Sequence, residues 1–218
     1  LAHAHDFEGI ALPAPSDAPQ LILAEENTPA LRRYHIEDGT AMGTLSLPEV
    51  FATRRDNYGL ESLASDPRDH ALWTANEEGL PGDAPLSTPQ DGTTVRLLRL
   101  VNVGDTWQAM AQFAYLVDPM HGANSSSARS GVSDLLVLPG GRLLVLERSA
   151  AISLSGIFET RLYEVIIADA DDVSSVPRLL DVAIETVSKR LLWSGHLANI
   201  EGVTLGPSLG SGHWALVG

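Results

Sequence analysis

The chain has 218 residues, 44% of them hydrophobic and 19% charged, which is enough apolar material for a buried core and too little charge for a disordered chain. Fourteen basic residues against 28 acidic ones give a net charge of −14, which argues against nucleic acid and anionic lipid surfaces as partners. Cysteine is absent, so disulfides, thiolate metal sites and a cysteine nucleophile are excluded, and no apolar run approaches the roughly eighteen residues that a membrane-spanning helix requires.

Along the chain, short apolar runs alternate with turn-forming clusters. A first strand is expected over 7–12, closed by the turn signal Pro13-Ala14-Pro15-Ser16-Asp17, and a second over 21–26, followed by a β-rich run at 32–36. The pattern restarts at 60–65, turns at Asp66-Pro67-Arg68-Asp69, and continues through strands at 71–77 and 95–101. Residues 79–92 and 118–131 read as loop insertions, the second with a Ser125-Ser126-Ser127 run. A third cycle runs through 133–138, the turn Pro139-Gly140-Gly141, then 142–147 and 160–168, and 176–190 is the one stretch that could hold a short helix. The fourth cycle has 200–205, a turn at Gly206-Pro207-Ser208-Leu209-Gly210, and 213–217.

The heads of the four cycles look alike. They read Phe7-Glu8-Gly9-Ile10, Leu60-Glu61-Ser62-Leu63, Ser133-Asp134-Leu135-Leu136 and Ile200-Glu201-Gly202-Val203, each an acidic residue before an apolar strand. The leading acids stand roughly 53, 73 and 67 positions apart. That is longer than the roughly 40–50 residues of a propeller blade, with the excess in loops. Repeated four-stranded meanders imply an all-β fold, a β-propeller forming a single domain over 1–218 with about three and a half blades, hence an incomplete ring. The chain starts without Met and 214–218 stop inside a strand, so further residues are expected at both ends.

In a propeller the innermost strand of each blade runs along the axis and the second returns beside it, so the start of one and the end of the other meet at one mouth of the channel. On this reading Glu8 pairs with Glu26, Glu61 with Glu77 and Asp134 with Glu147, while Glu201 leads the fourth blade. Carboxylates converging in a partly desolvated funnel raise one another's pKa and cost stability unless a cation or hydrogen-bond donors compensate. Calcium, a hard cation that takes six to eight oxygen ligands, is therefore the expected cofactor. Its expected ligands are Glu8, Glu26, Glu61, Glu77, Asp134, Glu147 and Glu201, with Asn57, Asn76 and Asn199 beside them. The same spacing also suits a structural role in which each acid ties its blade to the next through backbone N–H groups.

At Asn57-Tyr58-Gly59-Leu60-Glu61-Ser62-Leu63-Ala64, at Leu135-Leu136-Val137-Leu138-Pro139-Gly140-Gly141-Arg142-Leu143-Leu144-Val145-Leu146-Glu147-Arg148-Ser149, and at Asn199-Ile200-Glu201-Gly202-Val203, the chain resembles the phytase-like domain family. That family is also described as having the esterase-like activity of phytase. Its members are mostly bacterial, often exported and propeller-shaped, and the resemblance covers nearly the whole chain. It implies a small-molecule substrate, a phosphate ester or diester, and a periplasmic or secreted setting. It also implies that the acids of the repeat motifs carry the reaction. In phosphoester hydrolysis those acids would hold calcium, the metal would polarise the phosphoryl group and orient water, and an arginine would neutralise developing charge. Glu61, Glu147, Arg148 and Glu201 are the expected catalytic residues. Neighbours on a strand face opposite ways, so Arg148 has the alternative of pointing into the layer between blades. Two departures from the repeat stand out: Ser62 where the other Glu-led heads have Gly9 and Gly202, and Asp134 where they have Glu. Two other functions stay open, a non-catalytic ligand- or protein-binding propeller with structural calcium, and a lactonase-like hydrolase with axial calcium.

Other motifs carry less. Gly206-Pro207-Ser208-Leu209-Gly210 fits the hydrolase nucleophile pattern but joins two strands where that elbow needs a strand and a helix. His3, His5 and Asp6 have metal-ligand spacing at the chain start, and His121, His196 and His213 fall in or beside loops. Asn124-Ser125-Ser126 is a formal glycosylation acceptor.

Overall fold

Strands dominate because the apolar runs are short, rich in Leu, Val and Ile, and cut by Gly, Pro and Asp clusters. In a computed structural model, which describes residues 5–13, 19–66, 68–104 and 106–218, they form three four-stranded antiparallel sheets and one hairpin, each strand pairing with the next in sequence. The first sheet holds β1 (Phe7–Ala11), β2 (Gln20–Glu25), β3 (Ala30–His35) and β4 (Ala41–Leu45). The second holds β5 (Ala64–Asp66), β6 (Ala71–Ala75), β7 (Thr93–Val103) and β8 (Thr106–Val117). The third holds β9 (Arg129–Val137), β10 (Leu143–Ser153), β11 (Gly156–Ile166) and β12 (Ser188–Gly195), and β13 (Thr204–Gly210) pairs with β14 (His213–Val217). These are the meanders of a β-propeller. Three blades and a hairpin do not close a ring.

The sheets stack face to face, and strand alternation decides which layer each side chain enters. Leu72 and Leu98 join Ile22, Leu31, Phe51 and Leu60 between the first and second blades. Their neighbours Trp73 and Leu97 face the other way, onto Val132, Val145 and Val165 of the third. Leu144, Leu146 and Leu162 then meet Ile200 and Val203 beside the hairpin. A middle strand covered on both faces reads as an unbroken apolar run, which is why every residue of β6 is buried. The inner strands β1, β5, β9 and β13 surround an axial cavity of about 780 Å³, with Glu8, Asp134 and Gly202 among its lining.

Three expectations change. Residues 176–190 hold no α-helix, only a 3-10 turn at Leu179–Asp181 before β12. That segment is fixed from below: Arg96, fully buried, pairs with Asp83 and donates to the Val173 and Val176 carbonyls, while Leu179 N donates to Asp83. A second 3-10 turn, Glu49–Thr53, drops Phe51 into the first interface. The 206–210 segment is not the turn but the body of β13. Reversal comes at Ser211 and Gly212, both at positive φ (52° and 76°), the backbone that a tight hairpin demands. The expected turn at 13–17 and Pro67 of the next turn fall wholly or partly outside the described residues, as does His3. Among the described residues no helix is long and apolar enough to cross a membrane.

Candidate functional site

At one end of three blades the inner hairpin is irregular, and the irregularity aims the acids. Phe7 is opposite Glu25 and Gly9 opposite Ala24, which leaves Glu8 as an extra residue in β1. Leu60 bridges Asn76 while Ala64 pairs with Trp73, so residues 61–63 face only 74 and 75. In the third blade Val132 is opposite Glu147 and Asp134 opposite Leu146, and the extra residue is Ser133. Such a bulge bends the strand and turns its side chains out of the alternating pattern. One step toward the mouth, Glu26 N donates to the Asp6 carbonyl and Glu77 N to the Gly59 carbonyl, both at 2.9 Å, and Arg148 is opposite Gly131. Glu26, Glu77 and Arg148 are thus equivalent positions, and so are Glu25, Asn76 and Glu147.

The result is a convergence of acids from two blades. Asp6, Glu8 and Glu26 place carboxylate oxygens within 4.8 Å of one another, and Glu26, Glu61 and Glu77 do the same, with Glu26 shared. Glu26, Glu61 and Glu77 are buried. Burial, then their mutual charge, pushes the Glu61 carboxyl well above the usual range, with Glu77 and Glu8 as its first neighbours. Burial and Asp6 lift Glu8 to about 7. Burial and Glu77 lift Glu78, which adjoins the cluster, to about 8. Burial also raises Glu26 and Glu77, opposed by the Gly59 N–H and by Arg148 respectively. Glu78 Oε1 is buried and has no hydrogen-bond partner among the described residues.

Arg148 closes the third side. Its Nη2 donates to Glu77 at 2.8 Å, and its Nη1 donates to Glu201 at 2.6 Å and to Asn199 at 3.0 Å. Asn199 in turn donates to Glu201. Burial works against the guanidinium charge, but Glu77 and Glu61 hold it firmly cationic. Arg148 therefore faces the cluster and not the layer between blades. A family model described as phytase-like, esterase-like activity of phytase, matches residues 2–218. The chain belongs to the phytase-like family. No curated protein matches it.

Of the acids read from the sequence, the phytase-like fold brings Glu8, Glu26, Glu61 and Glu77 together and sets Glu201 beside them through Arg148. It takes two away. Asp134 does not pair with Glu147: its oxygens accept from Leu135 N and from Val203 N, both at 2.7 Å, which ties the third blade to the fourth. Burial still raises its carboxyl to about 6. Glu147, fully buried, accepts from Tyr115 Oη at 2.7 Å, Asp118 N at 3.1 Å and Lys189 Nζ at 2.6 Å, in the layer facing β8. Both of its oxygens are engaged inside the fold, so the structure places Glu147 apart from the cluster it was expected to join. Asn76 is likewise internal, with its side chain donating to Glu78 O and accepting from Arg96 N.

Sequence reasoning missed Asp6, Glu78, Tyr58 and Arg129. Asp6 was grouped with His3 and His5, whereas His5 turns to Glu25 at 2.9 Å. The available signal was the acid two places before Glu8 and the doublet Glu77-Glu78. Nothing in the sequence marks the contact of Arg129 with Tyr58. The chemistry available to the cluster is that of a hard oxygen donor set, in which several buried carboxylates share one guanidinium and are short of positive charge.

Proposed function

We propose that this phytase-like protein is a calcium-assisted hydrolase of phosphate esters or diesters. Its cation would be held by Glu26, Glu61 and Glu77, with Glu8 and Asp6 completing the donor set. The observation that carries the reading is the pair of carboxylate triads sharing Glu26, each within 4.8 Å, at a mouth where burial disfavours every charge. The orphaned oxygen of Glu78 fits the same deficit of positive charge. When bound, the cation would polarise a phosphoryl oxygen and acidify coordinated water. The chain's own residues hold that arrangement in place. Arg148, held through both Nη groups by three acceptors, fixes Glu77 and Glu201, and Glu8 is the one of the four Glu that is not fully buried, on the open side of the mouth. A calcium site would suit a periplasmic or secreted protein, where the ion is abundant.

The test is a calorimetric calcium titration together with hydrolysis of bis(4-nitrophenyl) phosphate. Glu26→Gln and Glu61→Gln are expected to lose calcium binding and turnover together, while Glu147→Gln keeps calcium binding. Turnover that survives chelation sinks the reading. The commitment of both Arg148 Nη groups to protein acceptors favours one alternative, a non-catalytic propeller whose calcium only locks its blades. Binding without turnover of phosphoesters, carboxyl esters or lactones would select it.

A further inference from the structure

Arg129 opens β9 at the rim of the cluster and is partly buried. Its guanidinium carbon stands 5.0 Å from the ring centroid of Tyr58, a cation–π stack that holds a planar donor fork in place. Both partners sit next to residues that position the acids. Tyr58 adjoins Gly59, whose N–H serves the Glu26 carboxylate. Two residues beyond Arg129, Gly131 lies so close to Glu77 that a Cβ would meet its carbonyl oxygen at 2.7 Å and its Cγ at 2.8 Å. Val132 N also donates to the Glu77 carbonyl at 2.9 Å.

The arginines around this mouth differ in what their donors do. Arg148 is committed to Glu77, Glu201 and Asn199. Arg54 is committed to Asn27 O, Arg55 O and Asp56, and Arg55 to the Gly79 and Ala84 carbonyls. Among the described residues Arg129 forms no ion pair and makes no side-chain hydrogen bond, although its charge is felt by Glu26, Glu77 and Glu78. An arginine held by an aromatic face and not by a carboxylate keeps its five donors for a ligand, and a guanidinium fork matches two oxygens of a phosphate.

We propose that Arg129, stacked on Tyr58, is an anion-binding side chain of this site and receives the non-bridging oxygens of a phosphate ester, while Arg148 is a positioning residue. The proposal rests on the reading of the cluster as the cation site of a phosphoesterase, and it names the group that recognises the substrate's charge. Because acids surround the stack, phosphate binds well only after a cation has compensated them, so calcium and phosphate binding are coupled.

The probe is inorganic phosphate, titrated calorimetrically into calcium-loaded and into chelated protein. Calcium is titrated separately without phosphate, and each variant's fold is checked by its melting curve. Arg129→Gln is expected to weaken phosphate by about tenfold or more while calcium affinity without phosphate does not fall, because a cation beside Glu26 and Glu77 has been removed. Tyr58→Leu is expected to lose part of the phosphate affinity and Tyr58→Phe almost none. Arg99→Gln, which removes a charge paired with Asp69 away from the mouth, serves as the control. An Arg129→Gln protein that binds phosphate as the wild type does overturns the proposal, as does a wild type that binds none in either condition. Absence of calcium binding with phosphate binding still lost in Arg129→Gln would sink the cation reading and leave the anion site standing.

Discussion

Nη2 of Arg148 lies 2.8 Å from Oε1 of Glu77, and the two residues hold the same register position in adjacent blades. A third acid at that position would crowd one more like charge into a buried mouth. With an arginine there instead, the acids of the first two blades are bounded by a cation supplied by the third, and the cluster becomes a two-blade site with a fixed edge.

That pair predicts the cost of breaking it. The Glu77 side chain is 3% exposed and that of Arg148 is 10% exposed. Removing one partner of a buried ion pair costs about 3–5 kcal/mol because the other is left uncompensated. Arg148→Leu is expected to lose stability on that scale in urea denaturation with chelator present, and to regain part of it in calcium. A loss under about 1 kcal/mol would mean that Glu77 is protonated in the metal-free protein and needs no partner.

The pH dependence of metal-free stability follows from the raised carboxyls. Glu8 is lifted from 4.5 to about 7 and Glu78 from 4.5 to about 8. Each binds its proton more tightly folded than unfolded, so its stabilisation is complete below about pH 4.5 and is lost as pH rises through 7 and 8. The melting temperature in chelator is expected to fall between pH 5 and pH 9, less steeply in Glu78→Gln, and calcium is expected to flatten the slope. A chelated protein that is equally stable at pH 5 and pH 9 would contradict the placement of these acids.

Glu147 makes a contrasting case. Lys189 Nζ stands 2.6 Å from both Glu147 and Asp118, with the Tyr163 and Tyr115 rings at 4.2 and 4.9 Å. Lys189→Met leaves the fully buried Glu147 carboxylate with only Arg161, at 3.9 Å, as a cationic neighbour and is expected to cost about 3–5 kcal/mol. Calcium affinity, measured well below the melting transition, is expected to be unchanged. A shift in calcium affinity would return Glu147 to the metal site.

The same residue shows where the sequence stopped being readable. Leu60-Glu61-Ser62-Leu63 and Ile200-Glu201-Gly202-Val203 announce a repeat because the acid and the apolar strand recur, and the meanders follow from the turn signals. Register does not follow. A bulge inserts one residue without leaving a compositional trace, so matching acid to acid set Asp134 against Glu61, whereas matching Gly59-Leu60 to Gly131-Val132 sets Ser133 there and moves Arg148 to the position of Glu77. The glycines were the better guide because their role is backbone contact. The Arg129–Tyr58 stack joins the head of β9 to the irregular segment before β5, about seventy residues apart, and no local pattern encodes such a pair.

Gly59 offers a direct test of that guide. A Cβ at this position would overlap the Glu26 carbonyl oxygen and come within 3.0 Å of the Glu26 Cγ. Backbone on one side and a carboxylate of the cluster on the other leave the added methyl nowhere to go. Gly59→Ala is therefore expected to push Glu26 away from both triads it serves. Overpacking of this kind costs about 1–3 kcal/mol. Calcium affinity is expected to fall further than in Gly39→Ala, where the glycine has open space around it. Gly39 has φ +71°, so that control carries its own backbone strain and isolates the effect of contact with Glu26. If both variants lose stability but only Gly59→Ala loses calcium, the close approach of the second blade to Glu26 is what shapes the site. If Gly59→Ala binds calcium as the wild type does, Glu26 is not a ligand and the two triads do not share it.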